Sequence, residues 1–258
     1  MKKKILFVCP FPYGLQAGQR LKFEQHYNLF KKNGYVVNYV SFIDNNTYKY
    51  LYKKGYFVLK LFNLIKGYIR RLLLINQLRK YDIIYVFMWV TPYFGSLFEK
   101  IYIKNANKII FDMEDNVLLS SNNSINKLGD YFKNKNKIYY LINNSDHIIT
   151  STPALGKLTN KINKKNNWTY ICASIQVDRY KKKSLDNSKI TLGWTGTFSS
   201  INYLKKIEKV IINISKIRNI EFIIISNSYY KIPNIKCKYI NWNRQREIDD
   251  LSKIDIGL

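Results

Sequence analysis

Histidine occurs twice and cysteine three times in this 258-residue chain, and these shortages narrow its chemistry. Cys9, Cys172 and Cys237 form no CxxC pair, which argues against a zinc ribbon or a disulfide scaffold and suits a reducing compartment. His26 and His147 have no carboxylate or cysteine at ligand spacing, so both read as structural, and no metal is expected. No stretch approaches the roughly 20 apolar residues of a membrane-spanning helix. The opening run Ile5–Cys9 stops at Pro10, short of the about 7–15 residues of a secretory apolar segment. The patterns G-x-G-x-x-G, G-x-S-x-G, P-loop, HExxH and EF-hand are all missing, which removes the best-marked nicotinamide, hydrolase, NTPase, metalloprotease and calcium classes.

Acidic residues are also scarce, at 17 against 43 basic ones, for a net charge of +26. Such a balance resembles that of a nucleic-acid binder. Only eight of the basic residues are arginine, however. Lysine is accompanied by abundant asparagine, isoleucine and tyrosine, which share AT-rich codons, and the lysines are spread over many elements rather than gathered in one arm. The charge therefore reads as the coat of a globular enzyme, with nucleic acid not expected as a partner. Hydrophobic residues at 47% and aromatics at 16% exclude a disordered chain.

Short apolar runs alternate with helical stretches. Ile5–Cys9, Val36–Phe42, Ile83–Phe87, Lys108–Asp112, His147–Thr150 and Trp168–Cys172 read as strands. One helix is predicted over Gln19–Asn33, with Phe23, Tyr27 and Phe30 on its inner face and Gly34 as its left-handed cap. Others fall over Asn126–Asn144 and over Pro153–Lys164, the latter capped by Thr152. Continuous apolar strands separated by helices mean an α/β fold with parallel sheets covered on both faces. After a polar stretch, Val177–Ser188, the pattern restarts. Strand Ile190–Trp194 leads through a tight turn, Thr195–Thr197, into helix Ser199–Arg218; strands Glu221–Ser226 and Lys236–Ile240, helix Glu247–Lys253 and strand Ile254–Leu258 follow. This gives a first domain over 1–176, a linker over 177–188 and a second domain over 189–258 that looks incomplete. Between Tyr56 and Lys80, apolar Leu61, Leu64, Ile65, Tyr68, Leu72 and Ile75 recur at helical spacing. Lys60, Lys66, Arg70 and Arg71 lie on or beside the opposite face. This is either a helix packed on a sheet or a contact with an anionic membrane.

In parallel sheets ligands bind at the carboxyl ends of the strands, and four loops there hold candidates. In the first, Gly14 and Gly18 permit close backbone approach and Arg20 offers an anion a fixed charge. The second holds Asp112, Glu114 and Asp115, whose mutual repulsion raises the proton affinity of at least one towards that of a general base. They would equally suit sugar hydroxyls. The third is Gly193–Thr197, where Thr195, Gly196 and Thr197 suit a diphosphate. The fourth is Ser226–Ser228, with Ser226 facing a nucleotide or forming a plain polar loop.

These residues together resemble the GT-B fold glycosyltransferases of bacterial surface-polysaccharide loci, family 4-like in pattern. Lys4–Val8 with the Gly14–Arg20 loop is similar to their first strand and acceptor-side loop. Phe111–Asp115 resembles their aromatic-Asp-x-Asp-Asp segment, with Glu114 replacing an aspartate, and Ser145–Ser151 a strand before the interdomain crossing. Ile190–Thr197 followed by Asn202–Leu204 is similar to the start of their donor domain, as Trp242 and Ile248–Leu258 are to a later segment of it. The resemblance implies two Rossmann-like domains, the second truncated here before the donor-gripping Gly-Lys and acidic residues. It implies transfer of a hexose-type sugar, with retention, from a nucleotide-sugar to a lipid-linked or oligosaccharide acceptor. No further cofactor is expected, and the enzyme would be cytoplasmic or peripheral on the inner membrane face. Gly196, Thr197, Thr195 and Ser226 would serve the donor, Gly14, Gly18 and Arg20 the acceptor and phosphate side, and Asp115, Glu114 and Asp112 catalysis. A nucleotide-sugar 2-epimerase of the same fold and a non-enzymatic basic binding module remain alternatives.

Overall fold

The structure, a computed structural model, describes residues 2–51, 53, 55–118, 135–180, 189–198 and 200–258. The chain divides into two units, Met1–Ile175 and Gln176–Leu258.

The first unit is built on six parallel strands: β1 (Lys4–Cys9), β2 (Val36–Ser41), β3 (Ile83–Phe87), β4 (Ile109–Met113), β5 (His147–Thr150) and β6 (Trp168–Tyr170), in the order β2-β1-β3-β4-β5-β6. The inner strands β1, β3 and β4 are mostly apolar because both faces are covered, whereas the edge strands β2 and β6 have exposed positions. In β1, Leu6 and Val8 join one core with Ile84, Phe111 and Leu141. Phe7 and Cys9 point the other way, into a core with Phe23 and Phe87. Around the sheet run α1 (Ala17–Lys22), α2 (Tyr27–Lys32), α3 (Asn45–Leu51), α4 (Phe57–Ile75), α5 (Leu97–Asn105), α6 (Asn136–Asn144) and α7 (Pro153–Asn163). Thr152 caps α7, its hydroxyl accepting from Leu155 N–H at 3.2 Å. The expected Asn126–Asn144 helix is seen over Asn136–Asn144, with Lys135 as its N-cap residue; residues 126–134 lie outside the described residues.

Two expectations are corrected here. The Gln19–Asn33 helix is broken at Phe23, with a 3-10 turn over Glu24–His26 between α1 and α2. Phe23, Tyr27 and Phe30 still pack on Phe7, at ring separations of 5.2, 4.8 and 5.8 Å. At the break the buried Glu24 carboxylate accepts from Gly14 N–H at 2.8 Å, a contact that ties helix to loop. Gly34 is left-handed as expected, at φ +84°. In α4 the expected inward face is only half kept: Leu64, Tyr68 and Ile75 are half-buried, with Ile75 against the first core. Its inward stripe is Gly67, Arg71 and Leu74, whereas Leu61, Ile65 and Leu72 face out. Gly67 allows this because a Cβ there would lie 2.6 Å from the Phe42 ring. Arg71 is wholly buried; its guanidinium donates to the carbonyls of Val90 (2.9 Å), Val40 (3.2 Å) and Cys9 (2.7 Å). Those carbonyls stand at or just beyond the carboxyl ends of β3, β2 and β1, so Arg71 clamps α4 to that edge of the sheet.

The second unit has four parallel strands, β7 (Ile190–Gly196), β8 (Ile220–Ser226), β9 (Cys237–Asn241) and β10 (Ile256–Gly257), in the order β10-β7-β8-β9. Helices α8 (Ile201–Ile217) and α9 (Glu247–Leu251) accompany them. Leu192, Trp194, Phe222 and Ile224 face α8, and Ile223, Ile225 and Ile240 the opposite side. Strand β7 continues through Thr195 and Gly196, so the tight turn begins only at Thr197. Val177–Arg179 forms a single 3-10 turn, and residues 181–188 of the expected linker lie outside the described residues.

Candidate functional site

The β1–α1 loop is folded around Gln19, which is fully buried. Its amide accepts from Phe11 N–H at 3.0 Å and donates back to Phe11 O at 3.1 Å. Gly14 is left-handed, at φ +79°, and Gln16 caps α1 by accepting from Gln19 N–H at 2.6 Å. This rigid loop lays the backbone of Gly18 directly against the end of β4. A Cβ on Gly18 would stand 2.5 Å from both carboxylate oxygens of Glu114. Two of the four candidate loops are therefore a single site.

Within it the three acids have different environments. Asp112 lies in β4, fully buried, its Oδ1 2.5 Å from the Lys22 ammonium and its Oδ2 accepting from the Tyr85 hydroxyl. Burial pushes its carboxyl up, and Lys22 opposes that shift. Lys22 and Tyr85 thus enclose both of its oxygens. Glu114 is partly buried at the mouth of the loop. Burial, with the charge of Asp115 beside it, pushes its carboxyl up to about 7, while Lys22 pulls the other way. Asp115 is exposed. Near neutral pH Glu114 therefore exists in both protonation states, as a group that gives and takes a proton must.

Lys22, which the sequence reading did not single out, is a cation that meets these acids. The Lys22 ammonium also donates to Ser151 Oγ at 2.8 Å, fastening α1 to the ends of β4 and β5. Arg20, two residues earlier, exerts its charge on Tyr48 of α3. The available signal for Lys22 was its place one helical turn beyond Gly18, facing the sheet.

In the second unit the loop after β7 is held by two side-chain oxygens. Ser200 Oγ accepts from Thr197 N–H at 3.0 Å, and Asn227 Oδ1 from Phe198 N–H at 2.9 Å. Gly196 has no room for a side chain: a Cβ would lie 2.4 Å from the Trp194 ring and 2.6 Å from Ser200 Oγ. Thr195 and Thr197 are exposed. Ser226 is fully buried and its hydroxyl accepts from Ser228 N–H at 3.2 Å, so Asn227, its neighbour, is the residue that reaches the loop. Among the described residues no group of three or more His, Cys, Asp or Glu is placed to hold a metal ion.

No protein-family model and no curated protein matches the sequence. Solved structures do match its fold. The catalytic domain of starch synthase IV from Arabidopsis thaliana, bound to ADP and acarbose, aligns with 100% of this chain and 78% of its own, at a TM-score of 0.63 and 10% identity. A glycosyltransferase from Rickettsia africae aligns with 99% of this chain and 72% of its own, at 0.58 and 13%. An α-glucosyltransferase solved with UDP and a 13-mer DNA containing a central A:G mismatch covers 100% of this chain and 71% of its own, at 0.57 and 12%. With its two parallel Rossmann-like sheets, the second of them small, the chain has the GT-B fold of glycosyltransferases.

Proposed function

We propose that the chain is a glycosyltransferase that moves a hexose-type sugar from a nucleotide-sugar to a lipid-linked or oligosaccharide acceptor in surface-polysaccharide biosynthesis. The observation that carries this reading is the GT-B fold, in which Gly18 lies against the Glu114 carboxylate at the carboxyl edge of the first sheet. The acceptor hydroxyl oxygen forms the new bond to the anomeric carbon on the face that the diphosphate leaves, and its proton passes to Glu114, with Asp115 orienting the sugar. The bond from that carbon to the diphosphate breaks, and the leaving nucleotide keeps the electron pair. In the second unit, Ser200 Oγ and Asn227 Oδ1 occupy the Thr197 and Phe198 N–H groups that diphosphate oxygens would take on binding. The presence of ADP and UDP in proteins of like fold supports a nucleotide-sugar donor. Retention of configuration and the family 4 assignment rest on the sequence resemblance. The reading includes catalysis without a metal and a place on the cytoplasmic membrane face, with residues 56–80 against anionic lipid. Incubation with UDP-glucose or ADP-glucose and a lipid-extract acceptor tests it: radiolabel transferred from the sugar, undiminished by EDTA, is expected. Absence of transfer and of nucleotide-sugar hydrolysis across donors would overturn it.

A further inference from the structure

The way α4 packs leaves an apolar stripe pointing out of the protein. Val58, Leu61, Phe62, Ile65, Ile69 and Leu72 follow one another at helical spacing on this side. They are not marginally exposed: Val58 is 79% accessible and the adjoining Phe57 77%. Lys66 lies on one rim, with its ammonium 4.5 Å from the centre of the Phe62 ring. On the other rim Tyr68 carries the surface over to the β3–α5 loop, its ring 5.9 Å from that of Phe94. Phe94 and Leu97 are 65% and 62% accessible.

The loop that presents Phe94 is braced rather than loose. Glu99 accepts from the Val90 and Thr91 N–H groups at 3.2 and 3.1 Å. Lys137 donates to Thr91 O at 2.7 Å, and the Tyr68 hydroxyl donates to Tyr93 O at 2.9 Å. Phe94 itself has φ +61°, a left-handed backbone that bulky residues avoid unless their surroundings impose it.

The electrostatics select the occupant. From Asn45 to Tyr81 there are nine basic residues and no acidic one; Arg71 is buried and Arg70 lies 3.9 Å from Asp44, which leaves seven others. A second copy of this face would be repelled, whereas an anionic lipid surface would be attracted. A 19-residue helix with an outward apolar stripe and basic residues at its rim and ends has the make-up of one lying in the plane of a membrane interface. No helix among the described residues is long and apolar enough to cross a membrane. Arg71 fixes α4 to the carboxyl ends of β1, β2 and β3, the sheet edge that also carries Gly18 and Glu114.

We propose that the outer face of α4, together with Phe94 and Leu97, inserts into the apolar boundary of an anionic bilayer and holds the acceptor-side edge of the first sheet at the membrane. This deepens the reading above by turning surface attraction into insertion, and rests on it only for the link to a lipid-borne acceptor.

Flotation of the purified chain with vesicles tests the insertion without donor or acceptor, so its failure leaves sugar transfer standing, and the reverse. Vesicles of phosphatidylcholine with about one third phosphatidylglycerol should carry the protein up, and high salt should weaken but not abolish this. The double variant F62S/I65S should lose about tenfold or more in partition, a change of about 1.4 kcal/mol per tenfold. F94S/L97S should lose comparably, while near-UV circular dichroism of both stays native because all four side chains are exposed. The proposal is overturned if wild type floats with no vesicle, if high salt releases it completely, or if both variants partition like wild type. It is equally overturned if, without lipid, wild type sediments as a dimer that F62S/I65S converts to a monomer.

Discussion

Replacing Glu114 with glutamine should make the protein more stable at alkaline pH and leave it unchanged in acid. In the fold the Glu114 carboxyl takes its proton at about 7 instead of the ordinary 4.5, chiefly because it is buried beside Asp115. The unfolded chain sheds this proton first as pH rises, so between 4.5 and 7 the folded state binds more protons than the unfolded one. Stability from this group is therefore full below pH 4.5, falls through that window and levels off above 7. The difference corresponds to about 3 kcal/mol at 1.36 kcal/mol per pKa unit, reduced to roughly 2 kcal/mol by water at the open side of the carboxylate. Glutamine keeps the shape and removes the charge. Urea unfolding of the two proteins should give equal stabilities near pH 4 and a glutamine variant about 2 kcal/mol the more stable near pH 8. If the two stability profiles run parallel across that range, Glu114 is not held as described, and its case as the proton acceptor falls with it.

Lys22→Met leaves the buried Asp112 without its cation and should cost about 3–5 kcal/mol, seen as a lowered thermal midpoint. The paired change K22M/D112N should recover a large part of that loss. Gly18→Ala forces its new methyl group onto the Glu114 carboxylate, so sugar transfer should fall by about tenfold or more while the thermal midpoint moves by only a few degrees. Circular dichroism melts alongside a transfer assay separate these outcomes.

Much of the fold was legible in the sequence because buried parallel strands are apolar on both faces. Ile83–Phe87 and His147–Thr150 read at their observed bounds for that reason. The break at Phe23 was not legible, because the Phe23, Tyr27 and Phe30 spacing is that of an unbroken helix. What interrupts it is a carboxylate, Glu24, bonded to a loop amide ten residues back. Arg71 was placed with Lys60, Lys66 and Arg70 on or beside the polar face of α4 by helical spacing alone. Three carbonyls at strand ends satisfy it, and their convergence exists only once β1, β2 and β3 are aligned. With Arg71 inward, Leu61, Ile65 and Leu72 are left exposed while Leu64, Tyr68 and Ile75 stay half-buried. In the candidate site, the acid segment and the glycine loop were each legible, but their contact through Gly18 and Glu114 was not. Lys22 was likewise not singled out, since periodicity alone does not say which basic residue of a short helix enters the core.

The central claim is that the chain takes up a nucleotide-sugar through the loop after β7. Isothermal titration of the protein with UDP-glucose and with ADP-glucose tests it most directly, read beside the Gly196→Trp variant, whose side chain would fill the space next to Trp194 and Ser200. Saturable binding of at least one of the two, weakened at least about tenfold by the substitution, is the predicted result. Absence of binding with either compound, or equal affinity in the variant, would contradict the account.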